Sequence, residues 1–89
     1  MNNNQANIKI YTSINCPFSK RLKEFLYEKV FPFEEIDISN DKKMIEECFE
    51  ISGVITTPVI VVKYSSDRSL VFNGWNQENK FLIMDLLNS

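Results

Sequence analysis

The 89-residue sequence contains no histidine and has only two cysteines, Cys16 and Cys48. Without histidine there is no imidazole general base, no Ser-His-Asp or Cys-His catalytic arrangement and no histidine-containing zinc site. Two thiols are too few for a four-cysteine zinc site or for the dense disulfide network of a small secreted domain. We therefore expect a cytosolic protein, in a compartment where thiols are normally kept reduced.

Basic residues are not in excess, since 10 Lys and Arg face 12 Asp and Glu and give a net charge of −2. This balance argues against a nucleic-acid binder held by phosphate contacts. No apolar run approaches the roughly 20 residues of a membrane-spanning helix. The polar N-terminus lacks the basic start and apolar core of a signal peptide. We expect a disordered tail over residues 1–6, a single domain over 7–89, and no membrane or nucleic-acid partner.

The spacing of apolar residues predicts four strands and three helices. The strands are expected at about 8–12, 33–38, 59–62 and 69–72, and the helices at about 17–30, 41–52 and 76–87. A strand–helix–strand start predicts parallel pairing, and the last two strands form a hairpin. The order β-α-β-α-β-β-α thus predicts an α/β fold, in which three helices flank a mixed four-stranded sheet.

Three- and four-residue spacing also predicts which face of each helix is buried. Cys48 shares such a face with its neighbours, so we interpret it as a core residue rather than as a second redox thiol. The predicted faces are Leu22, Phe25, Leu26 and Val30 in the first helix, Ile45, Cys48 and Phe49 in the second, and Leu82, Ile83, Leu86 and Leu87 in the third.

Cys16-Pro17-Phe18-Ser19 lies between the first strand and the first helix and is the most informative segment. A cysteine at a helix N-terminus faces unpaired backbone N–H groups and the positive end of the helix dipole, which favour thiolate over thiol. The cations Lys20 and Arg21 are expected to stabilise the thiolate further. Thiolate is the form that attacks disulfides, so Cys16 is the candidate nucleophile.

The chain resembles the glutaredoxin family, which has the thioredoxin fold, over about residues 7–88. The resemblance is carried by Tyr11-Thr12, by Cys16-Pro-Phe-Ser19, by Gly53-Val-Ile-Thr-Thr-Pro58-Val-Ile-Val, and by Gly74 before the last helix. It implies a disulfide oxidoreductase that uses glutathione as cosubstrate and acts on glutathionylated or disulfide-containing proteins, and we expect a monomer. It further implies that Pro58 is cis and lies against the nucleophilic sulfur.

Ser19 stands where dithiol relatives have a second cysteine, and a serine cannot close a disulfide with Cys16. The resemblance then leaves a monothiol cycle, in which Cys16 takes up glutathione from a mixed disulfide and a second glutathione releases it. Ser19 either donates a hydrogen bond to the sulfur or is an ordinary residue of the first helical turn.

The resemblance also implies a glutathione surface around Cys16. Thr57 would pair its backbone with the cysteinyl part of glutathione, and the last helix would offer N–H groups to a carboxylate. The chain departs from the family at Ser13, where many relatives have lysine, and at Asn76-Gln77, where they have acidic residues. The expected contacts are Tyr11, Pro17, Phe18, Thr57, Pro58, Gly74, Trp75, Asn76 and Gln77, although for Trp75 packing on the sheet is favoured over a place beside the site.

Three other functions remain open at this stage. Monothiol relatives can carry a 2Fe–2S cluster between two subunits, but they usually have glycine where this chain has Pro17. Glutathione-transferase-like and chloride-channel-like modules share a similar first helix but carry a Glu-Ser pair and a second domain. An electron donor served by thioredoxin reductase, or a redox-inactive adaptor, is the third alternative, suggested by Phe72-Asn-Gly-Trp75 and by the missing acidic residues.

Overall fold

The computed structural model describes residues 6–54 and 56–88. Its strands are β1 (Asn7–Thr12), β2 (Glu34–Asp37), β3 (Val59–Ser65) and β4 (Arg68–Asn73), and its helices are α1 (Pro17–Glu28), α2 (Lys42–Ser52) and α3 (Gln77–Leu87). Four strands form one sheet in the order β2-β1-β3-β4. β1 pairs parallel with β2 and antiparallel with β3, and β3 and β4 form a hairpin. The predicted fold class and element order are therefore confirmed.

The two faces of the sheet are covered by different helices because side chains alternate along each strand. Ile8 and Ile10 of β1 point to the face that carries α1 and α3, whereas Tyr11 points to the face that carries α2. The first core is built from Ile8, Ile10, Leu22, Phe25, Leu26, Ile60, Val62, Phe72 and Ile83. The second core is smaller and consists of Tyr11, Ile38, Cys48 and Val59.

Helix ends follow the capping residues of the sequence. Asp41 caps α2 by accepting a hydrogen bond from the backbone N–H of Met44 at 3.1 Å, and Gly53 ends that helix at a φ of +77°, a conformation suited to glycine. The first helix ends at Glu28, earlier than predicted. Val30 then adopts a left-handed φ of +59° and is exposed, so it does not belong to the buried face of α1.

Two other residues predicted to be buried are exposed. Phe49 on α2 is 47% exposed and Leu82 on α3 is 49% exposed. Each helix packs through a stripe that is shifted from the predicted one: α2 through Cys48 and its partly buried neighbours Met44 and Ile45, and α3 through Ile83, Met84, Leu86 and Leu87. Cys48 itself is buried as predicted, at 2% exposure.

The predicted disordered tail lies outside the described residues except for Ala6, which is partly buried and packs against the first core. Within residues 6–54 and 56–88, none of the helices has the length and apolar character needed to span a membrane.

Candidate active site

Cys16 occupies the N-cap position of α1, at the end of the loop that follows β1. Its backbone is extended, and Pro17 takes the first helical position, where a missing N–H has no hydrogen bond to lose. The Cys16 N–H donates to the Ser13 carbonyl at 3.2 Å, which tightens the loop. The cysteine side chain does not act as a cap, so the first-turn N–H groups remain available to an anionic sulfur.

Two opposing effects act on the pKa of Cys16. Burial of the sulfur is the largest single effect and raises the pKa, but hydrogen bonds to the sulfur together outweigh it, so the pKa lies below its ordinary value. The donors are the side-chain hydroxyls of Ser19 and Thr57 and the backbone N–H groups of Ser19 and Phe18. Backbone donors at the start of a helix stabilise an anion, as the sequence suggested.

Ser19 behaves differently in the two protonation states of Cys16. Its hydroxyl is buried, with the residue 2% exposed, and it makes no ordinary hydrogen bond within the described chain. With Cys16 as a thiol, the sulfur donates its proton to the Thr57 carbonyl at 3.4 Å. A hydrogen bond from the Ser19 hydroxyl to the ionised sulfur is one of the causes that lower the pKa of Cys16. The Ser19 hydroxyl is therefore a donor that is available to the thiolate.

The opposite wall of the site is the Thr57-Pro58 segment, in which the Thr57–Pro58 peptide bond is cis. Pro58 is buried, while Thr57 is half-buried and touches two groups of the β1–α1 loop. Its carbonyl receives the Cys16 thiol proton, and its hydroxyl lies 2.9 Å from the Ser13 hydroxyl. The predicted cis bond before Pro58 is thus present, and the Cys16 sulfur contacts the residue on the other side of that bond, Thr57.

A third segment joins this wall through the backbone. The Gly74 N–H donates to the Pro58 carbonyl at 2.8 Å, and Gly74 has a φ of +92°, which favours glycine at this turn. Asn76 then caps α3 by accepting from the Asn79 N–H at 2.8 Å. Gln77, the first residue of α3, is exposed. The start of α3 is therefore tethered to the same wall as Thr57.

The aromatic residues near the site have different exposures. Phe18 is 48% exposed, and the Arg21 guanidinium lies 5.7 Å from the centre of its ring. Trp75 is half-buried and its ring centre is 5.0 Å from that of Phe25, so it packs against the first core. Lys20 and Arg21 are both exposed; their stabilisation of the thiolate stays a prediction.

Tyr11 lies apart from this group. Its side chain is fully buried in the second core, and its hydroxyl donates to Glu47 Oε2 at 2.6 Å. Burial and this carboxylate both raise the pKa of Tyr11. Because the side chain is fully buried, Tyr11 is not open to a ligand in this conformation, and the expected contact of Tyr11 with glutathione is not available.

Cys48 is also separated from redox chemistry by its surroundings. It is buried in the second core, and burial raises the pKa of its thiol. The sulfur is therefore both inaccessible and mostly protonated at neutral pH, which agrees with its interpretation as a core residue.

Sequence reasoning missed two serines that hold the β1–α1 loop. Ser13 was noted only as a departure from the family lysine, yet its hydroxyl contacts Thr57, 44 residues further along the chain. Ser39, after β2, accepts a hydrogen bond from the Ile14 N–H at 2.7 Å. Neither contact has a local sequence signal, because each depends on how distant loops meet at the end of the sheet.

The comparison with protein families matches residues 8–65 to the glutaredoxin model, which is well over half of the chain and includes Cys16, Thr57 and Pro58. The chain belongs to the glutaredoxin family. Glutaredoxins are thiol–disulfide oxidoreductases, so this membership supports that general role for the site around Cys16.

Similar proteins agree with this assignment. Glutaredoxin 3 of Escherichia coli strain K12 is 37% identical over 57 residues, which cover 64% of this chain and 69% of that protein. A glutaredoxin-like 8.6 kDa protein in the rubredoxin operon of Clostridium pasteurianum, itself uncharacterised, is 38% identical over 53 residues, 60% of this chain and 71% of that one. The crystal structure of glutaredoxin grx-1 from Archaeoglobus fulgidus superposes with a TM-score of 0.68 at 32% identity, covering 89% of this chain and 86% of that one.

Proposed function

We propose that this glutaredoxin reduces protein–glutathione mixed disulfides by a monothiol mechanism through Cys16. The observation that carries the proposal is the set of donors that lowers the pKa of Cys16 beside a residue, Ser19, that cannot form a disulfide. Glutathione acts as cosubstrate, and the proteins acted on are glutathionylated or otherwise disulfide-bonded. We propose that the protein works as a monomer in the cytosol, where thiols are kept reduced.

The first step is attack by the Cys16 thiolate on the glutathione sulfur of the mixed disulfide. A new S–S bond forms between Cys16 and glutathione, the old S–S bond breaks, and the protein leaves as a thiolate that takes up a proton. A second glutathione thiolate then attacks the glutathione sulfur on Cys16. This step releases oxidised glutathione and restores the Cys16 thiolate, so that one mixed disulfide and one free glutathione give one protein thiol and one oxidised glutathione.

Ionisation of Cys16 also frees the carbonyl of Thr57, on the opposite wall of the site, as a hydrogen-bond acceptor. In the thiol form the Thr57 carbonyl accepts the thiol proton, whereas a thiolate or a disulfide has no proton to donate. The carbonyl is then released to accept a backbone N–H from the cysteinyl part of glutathione. This switch supports the role of Thr57 that the family resemblance implies.

The start of α3 supports one end of glutathione. Its N-terminal N–H groups and the positive end of its dipole favour a carboxylate. Since the Asn76 side-chain oxygen already accepts from Asn79, the exposed amide of Gln77 is the group left to accept a hydrogen bond from the glutathione amino group. Pro17, Phe18, Pro58, Gly74 and Trp75 complete the proposed surface.

The proposal is tested with a glutathionylated peptide, glutathione, glutathione reductase and NADPH, by following NADPH oxidation. The wild-type protein should turn over, and Cys16→Ser should not. Cys48→Ser is the matched control, because it removes the other thiol and should retain turnover. Turnover by folded Cys16→Ser would place the chemistry elsewhere. Reduction that needs thioredoxin reductase and ignores glutathione would favour the electron-donor alternative instead.

A further inference from the structure

Ser13 and Thr57 form a hydroxyl pair at the point where the β1–α1 loop meets the wall of the site. Their oxygens are 2.9 Å apart, and either hydroxyl has the geometry to donate. Both residues are half-buried, so water competes less for these groups than at an open surface. Thr57 also lies against Cys16, whose sulfur is 3.4 Å from the Thr57 carbonyl oxygen, and a hydrogen bond from the Thr57 hydroxyl is among the causes that lower the pKa of Cys16.

Each hydroxyl has one proton, which limits the pair to two arrangements. If Thr57 donates to Ser13, the Thr57 hydroxyl proton is no longer available to the sulfur, which then has one donor fewer. If Ser13 donates to Thr57, the Thr57 proton is free to point at the sulfur. Only the second arrangement stabilises a thiolate, and an acceptor as strong as a thiolate draws the Thr57 proton towards itself.

We propose that Ser13 is a positioning residue: it donates a hydrogen bond to the Thr57 hydroxyl oxygen and so directs the Thr57 O–H towards the Cys16 thiolate as a hydrogen-bond donor. The inference rests on the proposed function only in taking Cys16 as the reacting sulfur. In the thiol state the Thr57 hydroxyl is not needed by the sulfur, because the Cys16 proton goes to the Thr57 carbonyl at 3.4 Å. The pair thus reorients when Cys16 ionises, and Ser13 contributes to the low pKa without touching the sulfur.

The charged side chains on neighbouring elements do not replace this chain of hydroxyls. Lys20 and Arg21 on α1, Asp37 at the end of β2 and Glu78 on α3 are all exposed, where solvent and salt weaken their influence. The position that carries lysine in many relatives carries here a neutral hydroxyl that works through Thr57.

The test is the pH dependence of Cys16 alkylation by iodoacetamide, measured in a Cys48→Ser background so that one thiol reports. Ser13→Ala should move the midpoint upward, and the thiolate fraction well below the midpoint should fall about two- to fivefold, as expected for one lost neutral hydrogen bond. The plateau rate at high pH should not fall, since a more basic thiolate is intrinsically no less nucleophilic. Ser13→Thr, which keeps a hydroxyl, should restore the midpoint.

Two further variants separate the hydroxyl chain from simple loop anchoring. In a Thr57→Val background, which removes the intermediate hydroxyl, Ser13→Ala should cause no additional shift. Ser39→Ala removes the other serine that holds the loop and should leave the midpoint in place. The proposal would be overturned if Ser13→Ala left the midpoint unchanged, or if Ser13→Thr had the same midpoint as Ser13→Ala. It would also be overturned if Ser13→Ala caused its full shift in the Thr57→Val background, or if Ser39→Ala caused a shift as large as that of Ser13→Ala. Because alkylation needs no glutathione, failure of the proposed function would leave this result unaffected.

Discussion

The Ser19→Ala variant should be more stable than the wild type, but its Cys16 should be less reactive. Ser19 is the third residue of α1, and its hydroxyl is buried without an ordinary partner while Cys16 is a thiol. A buried, unsatisfied hydroxyl costs about 1–3 kcal/mol, and serine is a weaker helix former than alanine by a few tenths of a kcal/mol. Allowing for the lost packing of the oxygen, we expect the variant to be about 1–2 kcal/mol more stable than the wild type at a pH where Cys16 is protonated.

This advantage should shrink as the pH rises. The pKa of Cys16 is lowered in the folded protein, so ionisation of Cys16 stabilises the fold. This stabilisation is complete above the unfolded pKa of about 8.5 and is lost as the pH falls through the folded pKa. Without the Ser19 hydroxyl the folded pKa is higher, and the variant gains less from ionisation. The difference between the two proteins is therefore largest below the folded pKa and smallest above about pH 9.

Urea unfolding under reducing conditions, at about pH 5 and about pH 9, measures this directly. For a small domain with an m-value of about 1 kcal/mol/M, the midpoint of Ser19→Ala should rise by about 1–2 M at the lower pH. Ser52→Ala is the matched control: the Ser52 hydroxyl donates to the Cys48 carbonyl at 2.8 Å, so its loss should lower stability. A Ser19→Ala protein that is less stable at both pH values, or one whose extra stability does not depend on pH, would show that the Ser19 hydroxyl does not act in this way.

Three further predictions concern residues around the site. Cys48→Ser should keep full turnover but lose about 1–2 kcal/mol of stability, because it places a hydroxyl in the second core; loss of turnover in the folded variant would give Cys48 a redox role. Tyr11→Phe should lower stability by about 1 kcal/mol through the lost bond to Glu47, with kcat unchanged; a reduced kcat would reinstate Tyr11 as a site residue. Gln77→Asp should lower the KM for glutathione about threefold to tenfold, since a charged acceptor binds an ammonium group more strongly than an amide does; an unchanged KM would remove Gln77 from the glutathione surface.

The elements and the nucleophile could be predicted because their signals are local. Apolar spacing gave the three helices, the β-branched run Val59–Val62 gave a strand buried on both faces, and Pro17 marked the start of α1. Pattern alone does not fix where a buried stripe lies around the helix. Phe49 and Leu82 are 47% and 49% exposed, whereas Met44 and Met84 pack against the two cores.

The details of the site were less predictable because they arise from tertiary contacts. The Ser13–Thr57 and Ile14–Ser39 hydrogen bonds join segments 44 and 25 residues apart. Their formation depends on the strand order, which brings the ends of β1 and β2 beside the segment before β3. The predicted end of α1 was also wrong. The helix ends at Glu28, and Val30 adopts a left-handed conformation before Pro32 is reached.

The central claim is that the fold lowers the pKa of the Cys16 thiol and so favours its thiolate. The most direct measurement is the alkylation rate of Cys16 against pH in the Cys48→Ser protein. We predict a midpoint clearly below the value of about 8.5 for an unperturbed cysteine. A midpoint at or above that value would contradict it.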